Sequence, residues 1–171
     1  LAPTNSTTAE LAVGDALMVA LIEARGFTRD DFARSHPGGA LGRRLLVRCQ
    51  DLMHQGEGLP QVSTDATIEA ALFEMTEKGL GLVAVVNPDG TLAGIYTDGD
   101  LRRTLSREIS IKASIAQVMT AGCFTVHADT LAAEALALMQ QKKINGLIVT
   151  DAANHPLGAF NMHDLLRAGI I

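Results

Sequence analysis

Apolar residues recur at the spacing of an amphipathic helix in two separate stretches of the chain. Residues three and four apart share one face of an α-helix, so each stripe predicts a helix that packs one side against a core. The two stripes are Ile68, Ala71, Leu72 and Met75, and then Ala132, Ala135, Leu136 and Met139. Asp65 and Asp129 precede the stripes and are predicted to cap the two helices, and Gly79 is predicted to end the first.

Two short apolar segments with the composition of β-strands follow each predicted helix. They are residues 82–86 and 92–96 in the first stretch, and residues 146–150 and 157–160 in the second. Turn-forming residues such as Pro88 and Gly90 separate the two strands of a pair. Each second strand runs into a polar turn and a further helix, at residues 97–103 and 161–167.

The two copies keep one register along most of their length. A shift of 64 residues superimposes Asp100 on Asp164, and a slip of two residues brings Met53 onto Met119, so each copy starts with a similar short helix. Such repetition indicates an internal duplication and an α+β fold. The predicted domains are a helical segment at residues 1–46 and two βαββα-type repeats at residues 47–108 and 109–171.

The first predicted helix has apolar residues on nearly all of its sides. It lies between a predicted capping box at Thr7–Glu10 and a predicted stop at Gly26, and a short polar helix at residues 28–35 follows it. A helix that is apolar all round needs neighbours on every side. The residues that follow cannot supply them, so we expect the partners of this helix to lie upstream of Leu1 in a longer chain.

Composition and charge exclude several classes of function. A hydrophobic content of 47% predicts a folded core, and a formal net charge of −5 leaves no broad cationic surface for nucleic acid. The longest apolar stretch, residues 11–24, contains Asp15 and Glu23 and is too short to span a bilayer. Cys49 and Cys123 form no Cys-x-x-Cys pair, which favours a reduced, cytoplasmic chain. The histidine and cysteine spacings predict no metal site.

The polar turn after each second strand carries the candidate chemistry. A carboxylate at a helix start, here Asp100 or Asp164, can accept hydrogen bonds from the two hydroxyls of a ribose, while turn amides and a nearby arginine suit a phosphate. Helix capping alone also explains an aspartate at this place. Capping does not explain why the strand before each aspartate and the leucine and arginine after it repeat in register, so nucleotide binding is favoured.

The repeats resemble a pair of CBS (cystathionine β-synthase type) domains. The resemblance is carried by the openings at residues 51–53 and 117–120 and by the endings Gly94–Asp100 and Gly158–Asp164. It implies a tandem pair about a pseudo-twofold axis, a regulatory module that binds nucleotides in the cleft between the repeats. The implied ligand-binding residues are Val62, Thr97, Asp100, Arg102, Arg103, Val126, Asn161, His163, Asp164 and Arg167. Asn161 departs from the hydroxyl residue usual at its position.

The N-terminal segment resembles the end of the sugar isomerase (SIS) domain of bacterial arabinose-5-phosphate isomerases. The run Ser35–Arg43 carries this resemblance, together with residues 2–8 and 14–16. It implies an enzyme that interconverts D-ribulose 5-phosphate and D-arabinose 5-phosphate for Kdo and lipopolysaccharide synthesis. His36 is then the implied catalytic residue, because imidazole titrates near neutral pH and can act as the base. The rest of the SIS domain would lie upstream, so we expect the chain to be inactive alone.

The resemblance also implies ligands and partners. No cofactor is expected; the implied regulatory ligand is CMP-Kdo, with AMP or ATP as alternatives, and a CBS pair that only assembles subunits is a further possibility. Leu72, Met75, Leu136 and Met139 lie on apolar helix faces that need cover. We therefore expect a homodimer through the CBS pair, a higher homo-oligomer in the whole enzyme, and neither nucleic acid nor membrane as a partner.

Overall fold

The computed structural model describes residues 4–35 and 39–171 and divides the chain into two compact units. The first unit ends at Leu46, and the second runs from Val47 to Ile171. His36 lies outside the described residues.

The first unit is helical. Its helices are α1 (Thr4–Arg25), α2 (Arg29–Ser35) and α3 (Ala40–Leu46). Helix α1 begins at Thr4, before the predicted capping box. Thr7 and Thr8 therefore lie inside the helix, where their hydroxyls donate to the carbonyl of Thr4. It ends before Gly26, whose φ of +59° suits a residue without Cβ, as predicted. Apolar side chains of α1 such as Leu11 are exposed.

The second unit repeats one order of elements. Its helices are α4 (Ile68–Lys78), α5 (Asp98–Ser106), α6 (Ala132–Lys142) and α7 (Met162–Arg167). Its strands are β1 (His54–Gln55), β2 (Gln61–Ser63), β3 (Leu82–Val86), β4 (Leu92–Thr97), β5 (Thr120–Ala121), β6 (Thr125–His127), β7 (Gly146–Thr150) and β8 (Pro156–Asn161). The predicted bounds of β3 and β7 are confirmed, and β4 and β8 extend slightly beyond their predicted ends.

The predicted aspartate caps of α4 and α6 are wrong. Helix α4 begins after Thr67, whose hydroxyl accepts from the amide of Ala70, and α6 begins after Leu131, whose side chain makes no cap. Backbone carbonyls from elsewhere in the unit satisfy the first helical amides instead. The amide of Ile68 donates to the carbonyl of Ala113 at 3.0 Å, and the amide of Ala132 donates to the carbonyl of Val47 at 2.9 Å. Tertiary backbone hydrogen bonds therefore satisfy the helix-start amides that Asp65 and Asp129 were predicted to cap.

The strands form two four-stranded sheets that exchange their edge strands. Their orders are β2-β3-β4-β5 and β6-β7-β8-β1, so the first strand of each repeat lies in the sheet of the other. In the antiparallel pairs at these edges, His54 lies opposite Ala159 and Thr120 lies opposite Ile95. The slip that superimposes Met53 on Met119 also superimposes His54 on Thr120, so the exchange is reciprocal.

Two glycines permit the close approach of the exchanged strands. A Cβ on Gly158 would lie 2.7 Å from the side chain of Met53 and 2.8 Å from the carbonyl oxygen of His54. A Cβ on Gly94, the equivalent residue, would lie 2.6 Å from the carbonyl oxygen of Thr120. Real Cβ atoms do not approach backbone so closely, so these two positions require glycine.

Three apolar clusters hold the second unit together. One cluster packs α4 on the first sheet, and a second packs α6 and α7 on the other sheet. The third joins the two sheets through residues such as Ala84 of β3 and Ile148 of β7. Of the side chains expected to need cover, Met75, Leu136 and Met139 are already buried within these clusters.

Candidate functional site

The first candidate turn lies where β4 passes into α5. Thr97 and Asp100 form a capping box: Oδ2 of Asp100 accepts from the amide and the hydroxyl of Thr97 at 2.9 and 2.7 Å. Oδ1 of Asp100 accepts from the guanidinium of Arg103 and, at 2.9 Å, from the hydroxyl of Thr120. Asp100 is 4% exposed, so all four donors reach a buried carboxylate and offset its desolvation.

The second candidate turn lies where β8 passes into α7 and follows the same plan with fewer donors. Oδ2 of Asp164 accepts from the amide of Asn161 at 2.9 Å, and Oδ1 accepts from Nε2 of His54 at 3.0 Å. Arg167 lies 3.8 Å from the same Oδ1, which is too far for a hydrogen bond. Asp164 is 7% exposed, and within the part of the chain that the structure describes it accepts two fewer hydrogen bonds than Asp100.

Asn161 departs from Thr97 in a way that links the two repeats. Its Oδ1 accepts from the amides of His163 and Asp164 at 2.9 and 3.3 Å, so it caps α7 as a hydroxyl would. Its Nδ2 in addition donates to the carbonyl of Leu80 in the first repeat at 3.4 Å. The amide of Asp98 donates to the neighbouring carbonyl of Gly81 at 3.4 Å. The segment between α4 and β3 therefore contacts both turns.

The other residues implied by the resemblance divide into two groups. The side chains of Arg102 on α5 and His163 on α7 are exposed and available to a ligand. The side chains of Val62, which is partly buried, and Val126, which is buried, pack into the helix-side clusters.

Sequence reasoning missed His54 and Thr120, although each contacts one of the two aspartates. Neither belongs to a polar turn, and each comes from the repeat opposite to its aspartate. The only signal in the sequence is their equivalence under the slip that superimposes Met53 on Met119.

The two thiols do not add a reactive centre. Burial, with a smaller contribution from the carboxylates of Glu134 and Asp129, raises the pKa of Cys49 to about 12. Burial also raises the pKa of Cys123. Both cysteines are free, and a raised pKa favours the thiol over the more reactive thiolate.

A cleft of about 70 Å³ lies beside β4 and the loop after β5. It is lined by Leu92, Ala93, Gly94, Gly122, Cys123, Thr125 and Asn154. It contains neither aspartate, and it is far smaller than the ~300 Å³ or more that a nucleotide-sized ligand fills. This cleft is therefore not the candidate nucleotide site.

The described residues offer neither a metal-binding cluster nor a membrane-spanning helix. Within residues 4–35 and 39–171, no group of three or more His, Cys, Asp and Glu side chains is placed to hold a metal ion. In the same part of the chain, no helix has both the length and the apolar character needed to cross a membrane.

Comparison with known proteins agrees with this architecture. The model of the CBS domain matches residues 49–107 and 115–170, one match for each repeat. The chain belongs to the CBS domain family. The tandem CBS pair with mixed α and β content, predicted from the resemblance of the two repeats to CBS domains, is confirmed.

Among curated proteins, the chain is similar to arabinose 5-phosphate isomerase KdsD of Pseudomonas aeruginosa. The two are 60% identical over 172 residues, which include all of this chain and 53% of that protein. The resemblance to arabinose-5-phosphate isomerases is thereby confirmed. The chain spans about half the length of the curated relatives it matches.

Solved CBS structures share the fold. The CBS domain pair of protein MJ0100 in complex with 5-methylthioadenosine and S-adenosyl-L-methionine has a TM-score of 0.64 and 21% identity, covering 71% of this chain and 94% of that one. CBSX2 in complex with AMP has a TM-score of 0.61 and 24% identity, covering 72% of this chain and 96% of that one. At these identities the likeness concerns the fold of the second unit.

Proposed function

We propose that the second unit is the ribonucleotide-binding regulatory module of an arabinose-5-phosphate isomerase. The observation that carries the proposal is the pair of buried aspartates, each with one oxygen used by its own turn and the other directed to side-chain donors. A ribose can replace such donors, because its two adjacent hydroxyls donate to a carboxylate in the same way. CBS neighbours in complex with AMP or S-adenosyl-L-methionine support a nucleoside-containing ligand.

The enzyme part of the proposal comes from the relatives. Identity of 60% along the whole chain supports a parent protein that interconverts D-ribulose 5-phosphate and D-arabinose 5-phosphate. Its SIS domain would supply the substrate phosphate site, and His36 would act as an acid–base group. The regulatory module would then sense the state of the pathway that consumes the product.

CMP-Kdo is the ligand we favour for the module. It is the activated end product of the proposed pathway, and its phosphate and sugar carboxylate suit turn amides and the arginines Arg102, Arg103 and Arg167. AMP and ATP are the rivals, since adenosine compounds occupy the CBS neighbours. Backbone groups beside Val62 or Val126 would distinguish cytosine from adenine, because the two bases present different hydrogen-bonding edges.

Isothermal titration calorimetry of the chain with CMP-Kdo, AMP and ATP tests this function. We expect CMP-Kdo to bind most tightly and Asp100→Ala or Asp164→Ala to weaken binding at least tenfold, since each removes a charged acceptor. Asp89→Asn, in the turn between β3 and β4, is the matched control and should leave binding unchanged. Tight ATP binding without CMP-Kdo binding would make ATP the ligand in place of CMP-Kdo. No binding of any nucleotide would reject the regulatory function and favour a module that only assembles subunits.

We also propose that the module forms a homodimer through its helices. Phe73 of α4 is 74% exposed, and Leu105 of α5 and Leu166 of α7 are exposed as well. Burial of these side chains between two copies would stabilise the dimer. We expect sedimentation velocity to show a dimer that Phe73→Asp converts to monomer, while Leu157→Asp, on strand β8, does not. A wild-type chain that is monomeric at all concentrations would contradict the proposal.

A further inference from the structure

Each candidate aspartate is held by a side chain from the strand that the opposite repeat contributes. His54 of β1 donates to Oδ1 of Asp164 at 3.0 Å, and Thr120 of β5 donates to Oδ1 of Asp100 at 2.9 Å. His54 and Thr120 occupy equivalent places in the two repeats. We call these two hydrogen bonds the cross-repeat contacts.

The cross-repeat contacts use the oxygen that a ribose would need. Oδ2 of each aspartate accepts from its own turn, at 2.9 Å from the amide of Thr97 or Asn161, and those bonds fix the start of the following helix. Releasing Oδ2 would uncap the helix, which costs about 1 kcal/mol. Oδ1 has no such role. Because Asp100 and Asp164 are only 4% and 7% exposed, the donor on Oδ1 covers that oxygen, and a ligand hydroxyl would reach it by displacing the donor.

We infer that His54 and Thr120 are residues of the two nucleotide sites and compete with the ribose for Oδ1 of Asp164 and Asp100. The inference rests on the proposed function and adds to it two residues from outside the polar turns. Ligand binding at one aspartate then frees a side chain that the other repeat supplies. The exchanged strand, and not only the turn, responds to the ligand.

The exchanged strands depend on these contacts because they are short. Strands β1 and β5 have two residues each and lie at the edges of their sheets. His54 and Thr120 are the first residues of these strands, so each side-chain hydrogen bond adds to a small number of backbone bonds. Loss of a cross-repeat contact should therefore raise the rate at which the strand opens.

The two aspartates differ in the other donors that reach Oδ1. Asp100 keeps the guanidinium of Arg103 on Oδ1 beside Thr120, whereas the corresponding Arg167 is 3.8 Å from Asp164. Among the described residues, His54 is therefore the only side chain that hydrogen-bonds Oδ1 of Asp164. It is 35% exposed, so its ring can move into solvent when a ribose takes its place. The Asp164 site should respond to His54 more than the Asp100 site responds to Thr120.

Hydrogen–deuterium exchange without ligand tests the cross-repeat contacts themselves. His54→Ala should speed exchange at residues 54–55 and leave residues 120–121 unchanged. Thr120→Val, which keeps the shape but not the donor, should do the reverse. Equal exchange in wild type and variants would show that the contacts do not hold the strands and would overturn the inference.

Calorimetry with AMP and CMP as separate probes tests the competition. In an Asp100→Ala chain, where the Asp164 site remains, His54→Ala should tighten binding roughly tenfold, the scale of a lost hydrogen bond to a charged group. His155→Ala in the same chain, in the turn between β7 and β8 and outside both candidate turns, is the matched control and should change the Kd less than twofold. Unchanged or weaker binding in the His54 variant would overturn the competition.

Exchange in the wild-type chain with saturating AMP or CMP needs no variant. Residues 54–55 should exchange faster with nucleotide than without it, opposite to the usual protection at a binding site. Slower or unchanged exchange would contradict the inference while leaving nucleotide binding intact. Absence of binding by AMP, CMP and CMP-Kdo alike would reject the proposed function and the competition together. The ligand-free exchange would still decide whether the contacts hold the strands.

Discussion

Replacing Gly158 by alanine is expected to lower the free energy of unfolding of the second unit by roughly 3 kcal/mol, the upper end for an overpacked site. The new Cβ would lie 2.7 Å from Met53 and 2.8 Å from the carbonyl oxygen of His54. The methionine can move, but the carbonyl belongs to the backbone of β1 and can move only with the whole strand. The added Cβ therefore forces β1 to move away from β8, its neighbour in the sheet.

Urea denaturation followed by circular dichroism measures this effect. The matched control is Gly58→Ala, because Gly58 lies close to the same strand and its Cβ would lie 3.7 Å from the Cβ of His54, an ordinary contact. We expect the control to change stability by less than about 1 kcal/mol. Gly158→Ala as stable as the wild type would mean that β1 is not packed on β8 as described.

Replacing His36 by alanine in the proposed full-length isomerase is expected to lower kcat by about 10²-fold, the scale of a lost acid–base group. Exchange between an aldose and a ketose through an enediol moves a proton between neighbouring carbons, and imidazole suits this at neutral pH. The proposed role rests on the run Ser35–Arg43.

Steady-state kinetics on the folded variant, with D-ribulose 5-phosphate as substrate, measures this second effect. His127→Ala is the control, because His127 is an exposed histidine of β6 in the second unit and lies outside the proposed catalytic segment. We expect this control to retain wild-type turnover. Near-normal kcat in the His36 variant would remove that residue from the active site.

The repeated order of elements could be predicted because its signals are local. The apolar runs of β3 and β7 and the glycine after α4 each act within a few residues. Gly79 takes a φ of +68° at the end of α4, as its place after the apolar stripe predicted. The spacing of residues in the sequence is sufficient to predict a helix or strand when the signals for it lie within that element.

The edge strands and the helix starts could not be predicted because they depend on distant partners. Strand β1 has two residues, too few for any alternation of polar and apolar positions, and its partner β8 lies about 100 residues further along the chain. Asp129 stands where a cap is expected, yet a distant backbone carbonyl satisfies the first amide of α6. Such competition between local and tertiary partners leaves no mark in the sequence.

The candidate site likewise contains residues that the sequence could predict and residues that it could not. Asp100 and Asp164 could be selected from the sequence because each begins a helix in a repeated turn. Their donors His54 and Thr120 could not, because the exchange of strands brings them in from the opposite repeat. The unequal number of donors on the two aspartates likewise follows from three-dimensional placement alone.

A crystal structure of the chain grown with CMP-Kdo or AMP is the most direct test of nucleotide binding at the aspartate turns. We predict electron density for a nucleotide with its ribose hydroxyls within hydrogen-bond distance of Oδ1 of Asp164 or Asp100, and with His54 or Thr120 displaced from that oxygen. A nucleotide bound elsewhere, or both turns unchanged at saturating ligand, would contradict the account.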